Sequence, residues 1–170
     1  MFQSEQEFER IVMPETPRLL RFALRLTRNT PAAEDLVQET LLNAWRGFRQ
    51  FRSGAGVRPW LFRILVNAFY GLGRKTRLEV VPLEDAGARS TVIDKLQMAQ
   101  ALDALPVDQR TVLLLGVVEG FTCREVSEIL SIPMGTVMSR LSRAREALRQ
   151  KLTPVRGVAV GSRKDFDELP

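Results

Sequence analysis

The sequence predicts an all-α protein: two small helical domains joined by a flexible linker, the second containing a helix-turn-helix. Three observations carry this expectation. No alternating apolar–polar pattern runs for more than a few residues, so strands find no support. Apolar residues recur instead at i, i+3, i+4 and i+7 in one segment after another. Residues 78–91 (LEVVPLEDAGARST) then break that periodicity with Pro82, Gly87 and three acids, the composition of an interdomain linker. The expected limits are 1–77 for the first domain, 78–91 for the linker, 92–152 for the second domain and 153–170 for a mobile tail.

Taken in order, Ser4 and Glu7 have capping-box spacing and open a short first helix, which Pro14 and Pro17 interrupt or bend. From Pro17 to about Arg28, Leu19, Phe22, Ala23 and Leu26 form a buried stripe. Asn29-Thr30-Pro31 stops and restarts the chain, with Thr30 the expected N-cap and Pro31 in the first turn. The third helix, about 31–48, aligns Val37, Leu41, Ala44 and Phe48. Its other face carries Glu34, Asp35, Gln38 and Glu39, which suit the positive end of the helix dipole. That face reads either as a solvated surface or as an acidic docking site for a basic protein.

A flexible Ser53-Gly54-Ala55-Gly56 loop leads to Pro59, which opens a fourth helix. Its expected buried stripe is Leu61, Ile64, Leu65, Ala68 and Leu72; Arg58, Arg63, Asn67, Tyr70 and Arg74 occupy the remaining faces. After the linker, helices are expected over 92–104 and 106–118, the latter with Val112, Leu113, Leu115 and Gly116 inward. Glu119-Gly120-Phe121 makes a turn. Thr122 and Glu125 then form a capping box for a short helix, 123–130. Past Ser131-Ile132-Pro133 a long helix runs to about Leu152 on the stripe Val137, Leu141, Ala144 and Leu148. A short helix, a tight turn and a longer Arg-rich helix make a helix-turn-helix, with Thr136, Met138, Ser139, Ser142 and Arg143 outward and Arg140 flanking.

Composition narrows the chemistry. Of 170 residues, 25 are basic and 20 acidic, for a net charge of +5, and arginine supplies most of the basic groups. Arginine grips phosphate bidentately and stacks on bases, so the bias suits a nucleic-acid partner. The charge is also unevenly placed. Between Thr40 and Leu78 lie eight basic residues and no acid, interleaved with Trp45, Phe48, Phe51, Trp60, Phe62, Phe69 and Tyr70. Such a mixture fits single-stranded nucleic acid, where charge tracks phosphates and rings accept unstacked bases. Most of these rings are nevertheless expected in the core, Trp45 and Phe48 in particular.

The chain has no histidine and one cysteine, Cys123, which excludes His-dependent catalysis, zinc sites of the usual kinds and an internal disulfide framework. No apolar run approaches bilayer length, and the first ten residues are polar and acidic, so neither membrane insertion nor a signal peptide is expected. No cofactor is expected, and a cytoplasmic location is the simplest reading.

Residues 33–45 (AEDLVQETLLNAW) closely resemble the core-polymerase-binding segment of bacterial sigma factors, and residues 58–67 (RPWLFRILVN) the promoter-melting segment that follows it. Residues 105–110 (LPVDQR) and 135–145 (GTVMSRLSRAR) resemble the family's promoter-distal helix-turn-helix. Their order, spacing and small compass resemble the two-domain, extracytoplasmic-function type, over about residues 5–152. The resemblance implies a non-catalytic initiation subunit, monomeric when free, whose partners are core RNA polymerase and promoter DNA. It assigns Asp35, Gln38, Glu39 and Trp45 to core binding. Arg52, Arg58, Trp60, Arg63, Asn67 and Arg74 fall to the single-stranded −10 element, and Thr136, Met138, Ser139, Arg140, Ser142 and Arg143 to the duplex −35 element. The acidic linker resembles the segment that threads through the polymerase. Many relatives are held inactive by an anti-sigma partner, which makes an anti-sigma factor a candidate partner here. Three positions depart from the pattern: Met138 replaces a usual Lys or Arg, Ser131 the turn glycine and Gly71 a frequent Asp.

Two other functions compete. A stand-alone helix-turn-helix regulator would ordinarily dimerise on paired half-sites, and the chain shows no obvious dimerisation helix. An enzyme acting on nucleic acid could hold Mg²⁺ on Glu34, Asp35 and Glu39, but no acids converge on them from elsewhere in the sequence.

Overall fold

The computed structural model describes residues 2–51, 56–73 and 91–152. Arg52, Arg74, most of the expected linker and the expected tail lie outside these residues. Among the described residues there are eight α-helices and no strand. The helices are α1 (Phe2–Val12), α2 (Thr16–Thr27), α3 (Thr30–Gly47), α4 (Val57–Gly73), α5 (Thr91–Asp103), α6 (Val107–Leu113), α7 (Cys123–Leu130) and α8 (Met134–Leu152).

Helix α1 begins upstream of Ser4, so Ser4 lies inside the helix and is not its cap. A 3₁₀ turn, Met13–Glu15, follows, and α2 restarts with Pro17 in its first turn, where a missing N–H costs nothing. Leu19, Phe22, Ala23 and Leu26 are buried as the periodicity requires. Helix α2 ends on Arg28 in the left-handed conformation (φ 58°), which costs a non-glycine residue roughly 1 kcal/mol. The cap of α3 is Asn29 rather than Thr30. Its extended backbone lets its own Oδ1 accept from the Ala32 N–H at 2.9 Å, which puts Thr30 inside the first turn.

Helices α2, α3 and α4 pack together as the first module. The buried face of α4 is Leu61, Phe62, Leu65, Val66 and Phe69, not the expected stripe through Ile64, Ala68 and Leu72, which are half-buried. The physical reason is that α4 is covered from two sides, by its own module and by α7 of the second. The Phe62 ring meets Phe22 of α2 edge-on at 5.0 Å and Phe121, just before α7, at 5.2 Å. A single apolar core therefore runs through both modules.

In the second module, α6 continues into a π-helical turn over Leu114–Val118, a detail that no periodicity announces. The bulge buries Leu114 beside Leu113 and Leu115 and leaves Gly116 only half-buried. Gly120 (φ 76°) then turns the chain into α7. The capping box forms: the Glu125 N–H donates to Thr122 Oγ1 at 3.2 Å, and Glu125 Oε2 accepts from the Thr122 N–H at 2.8 Å. Ser131 adopts the left-handed conformation (φ 53°) that glycine would take more readily. Helix α8 buries Val137, Leu141 and Ala144.

The cap yields a first prediction. Thr122→Ala is expected to destabilise the second module by about 1 kcal/mol, read by chemical denaturation. The Thr122 N–H, followed by its hydroxyl, holds the Glu125 carboxyl below its ordinary value. A carboxylate whose folded value is depressed stabilises above its unfolded value and loses that contribution as pH falls through the folded one. The alanine variant keeps the backbone N–H and loses only the hydroxyl, so the difference between wild type and T122A should be full at neutral pH and fall part of the way in acid; a pH-independent difference would mean that only the cap bond from the Glu125 N–H, and not the hydroxyl–carboxylate contact, carries the effect.

Candidate nucleic-acid and protein interfaces

Helix α3 turns Ala33, Leu36, Val37, Thr40 and Ala44 inward, which leaves Glu34, Asp35, Gln38 and Glu39 exposed on the opposite side. The buried Thr40 keeps its hydroxyl satisfied by donating to the Leu36 carbonyl at 2.7 Å. Among the described residues, Asp35, Gln38 and Glu39 have no ion pair, so a free carboxylate face looks outward. Trp45, expected in the core, is instead 43% exposed. Phe8 of α1 takes the space beneath it, meeting Trp45 edge-on at 5.1 Å and Phe48 at 5.2 Å. Trp45 thereby joins Glu5, Phe8, Glu9 and Met13 around an apolar depression with an acidic rim. Sequence reasoning missed this contribution of α1, because Phe8 and Trp45 lie far apart in the chain.

The aromatic residues before and within α4 pack on one another. Phe51 meets Trp60 at 4.7 Å and Phe48 at 6.0 Å, all three half-buried. Arg63 and Asn67 project from α4 into solvent. Asn67 shares a groove with Ile64, Ala68 and Leu72 of α4 and with Glu39 and Asn43 of α3, so residues assigned to polymerase and to DNA stand side by side.

Arg58 is placed differently. Its Nη2 donates to the Glu119 carbonyl at 2.9 Å, and its guanidinium lies 5.2 Å over the Phe121 ring. Glu15 and the Glu119 carboxylate approach it at 3.8 and 3.9 Å. The Glu119 side chain is almost wholly buried, and its carboxylate also pairs with Arg18 at 3.5 Å. Burial raises its carboxyl above the ordinary value, while Arg18, Arg58, Arg25 and Arg21 pull it back. A second ionic contact joins Arg28 to Asp103, which Arg110 also approaches. Burial likewise raises Asp103 and lowers Arg110.

On the helix-turn-helix, Met138, Ser139, Ser142 and Arg143 are exposed along one side of α8, with Thr136 half-buried at its start. The half-buried Arg140 is tied by Nη2 to Asp108 Oδ2 at 2.8 Å. The other oxygen of Asp108 accepts from the Tyr70 hydroxyl of α4 at 3.1 Å. Neither Asp108 nor Glu119 stands out in the sequence; Glu119 gains its arginines from α2 and α4 of the first module, and Asp108 its tyrosine from α4 and its arginine from α8. Among the described residues no group of acidic or thiol side chains could hold a metal ion, and no helix is long and apolar enough to cross a membrane.

Residues 11–78 match the family model for Sigma-70 region 2, and residues 95–148 that for Sigma-70, region 4. The chain is 37% identical to the ECF RNA polymerase sigma factor EcfG of Rhodopseudomonas palustris, over 81% of this chain and 80% of that protein. It is 33% identical to the ECF sigma factor SigM of Mycobacterium tuberculosis, over 85% and 76%. Among solved structures, the sigma factor RpoE of Bartonella quintana, in complex with the anti-sigma factor NepR, superposes with a TM-score of 0.76 at 33% identity. That alignment covers 92% of this chain and all of the other. The chain belongs to the extracytoplasmic-function (ECF) family of RNA polymerase sigma factors, the subunits that direct transcription initiation.

Proposed function

We propose that this chain binds core polymerase through α3, captures and melts the −10 element with the first module, and reads the −35 element with α8. The observation that carries the reading is the pairing of an unpaired acidic face on α3 with an exposed helix-turn-helix face on α8. Asp35, Gln38 and Glu39, with Trp45 beside them, form the polymerase surface. Arg63 and Asn67 project from the module that carries the acid-free basic stretch, where Arg52, Arg58, Trp60 and Arg74 complete the −10 site. Unstacking a promoter base costs a few kcal/mol, which a base pocket and phosphate neutralisation must offset. Thr136, Met138, Ser139, Arg140, Ser142 and Arg143 meet the −35 duplex.

In this reading residues 1–77 and 92–152 are the two working units, joined by 78–91, with 153–170 as an appendage. The chain has no catalytic role of its own and acts in the cytoplasm as a monomer until it meets the polymerase. Because a 33%-identical relative is bound by the anti-sigma factor NepR, a small anti-sigma protein is also proposed as a partner here.

The direct test is transcription from a library of promoter fragments by purified core polymerase, with and without the chain. Specific initiation that depends on the chain supports the reading and gives both element preferences. Duplex binding with neither core binding nor initiation would replace it with a stand-alone regulator. Within the −35 site, Arg143→Ala is expected to cost roughly 1–3 kcal/mol at one base position. An equal loss on every sequence would make Arg143 a phosphate contact.

A further inference from the structure

The outward side chains of α8 differ in what they are free to do. Ser139 Oγ donates to the Thr136 carbonyl at 3.0 Å, so its one proton is already used within the helix. Arg140 is tied to Asp108 at 2.8 Å, and Thr136 is half-buried. Of the residues assigned to the −35 duplex, Met138, Ser142 and Arg143 remain exposed and uncommitted.

Met138 is the unusual member of that set. It is 50% exposed, and Met134, one turn earlier on the same side of α8, is 47% exposed. Neither packs against the core, and the other exposed side chains of α8 are polar or charged. Ser142 continues the same row one turn later, and Arg145, two turns beyond Met138, stands exposed with no ion pair among the described residues. The helix thus presents a short apolar strip with cations at its side. A recognition helix enters the major groove with its N-terminal residues against the base edges, and both methionines lie in the first turns of α8. Base pairs offer hydrogen-bonding groups in that groove, and the thymine C5-methyl is the one apolar group among them. A methionine has no charge or donor to give a phosphate. Its unbranched, adaptable side chain is suited to covering a methyl group.

From this we infer that Met138 is a specificity-determining residue that reads a thymine. Its side chain covers the C5-methyl of one A·T pair in the −35 element, and Met134 extends the apolar cover one turn toward the start of the helix. The inference rests on the docking of α8 proposed above and names a base which that face selects. Arg143 and Arg145 supply the cations for the flanking phosphates, so the apolar contact adds selectivity to an electrostatic hold that is indifferent to sequence.

The test measures binding of the full chain, alone at low salt and together with core polymerase, to a promoter duplex taken from the fragment library. Each thymine of the −35 element, on either strand, is replaced in turn by deoxyuridine, which removes the methyl group and keeps every hydrogen-bonding group. One replacement is expected to lower affinity about fourfold, the worth of one buried methyl group. Met138→Ala should lower affinity for the unmodified duplex by a similar factor and abolish the deoxyuridine effect, because both changes remove the same contact. M138K should abolish it as well. Helical circular dichroism should match wild type in both variants, since the side chain lies outside the core.

A scan that is flat in wild type, a deoxyuridine effect that persists in either variant, or a −35 preference without an A·T pair overturns the inference. So does a fall in the affinity of M138A for core polymerase without DNA, which would give Met138 a protein contact instead. The reading beneath is tested separately by base-pair changes. A flat thymine scan beside costly changes elsewhere in the −35 element leaves α8 in the groove and removes only the role of Met138. Failure to bind the duplex, or a −35 element in which every base-pair change is silent, removes the docking of α8 and the inference with it.

Discussion

Replacing Asp35 and Glu39 together by alanine is expected to weaken binding to core polymerase by at least roughly 30-fold, with thermal unfolding unchanged. The magnitude follows from the setting. A charge that becomes buried and paired in an interface costs about 2–5 kcal/mol to truncate, much of it from the partner left unpaired. The unaltered fold follows from exposure: both side chains look outward from α3, and among the described residues neither has an ion pair to lose. Titration of fluorescently labelled chain with core polymerase would measure the first property and calorimetry the second. Full affinity in the double variant would remove α3 as the docking surface. A large drop in melting temperature would show that the two acids serve the fold instead.

The largest effect on stability is expected at Phe62. The side chain is fully buried, with Phe22 on one side and Phe121 on the other. Phe62→Ala should cost about 3–5 kcal/mol, as truncation of a buried aromatic usually does when its surroundings cannot collapse. Edge-on aromatic pairs add to the loss, at about 0.5–1.5 kcal/mol each. Because Phe121 belongs to the second module, part of that cost falls on the contact between modules. Denaturation of F62A should therefore show both a lower midpoint and an earlier release of the second module. A loss below about 1 kcal/mol would mean that the ring is not the shared core element its packing indicates.

The sequence by itself determined the helices and most of their buried faces. Periodicity placed Leu19, Phe22, Ala23 and Leu26 inside α2, and Val137, Leu141 and Ala144 inside α8, because each helix is buried along one stripe. The box at Thr122 and Glu125 was legible since its partners lie three residues apart, and local hydrogen bonds need only local spacing. The acidic face of α3 and the outward face of α8 were legible for the same reason, as were the segments that carry the family resemblance.

Tertiary structure decided what depends on residues distant in the chain. Trp45 left the core because Phe8, 37 positions earlier, fills the space beneath it. The buried stripe of α4 shifted because a second module covers that helix, and periodicity cannot say how many neighbours a helix has. Arg58 reads in sequence as one more basic residue before a helix. Only the fold brings it against Glu119, 61 residues away, because ion pairing depends on distance in space and not along the chain.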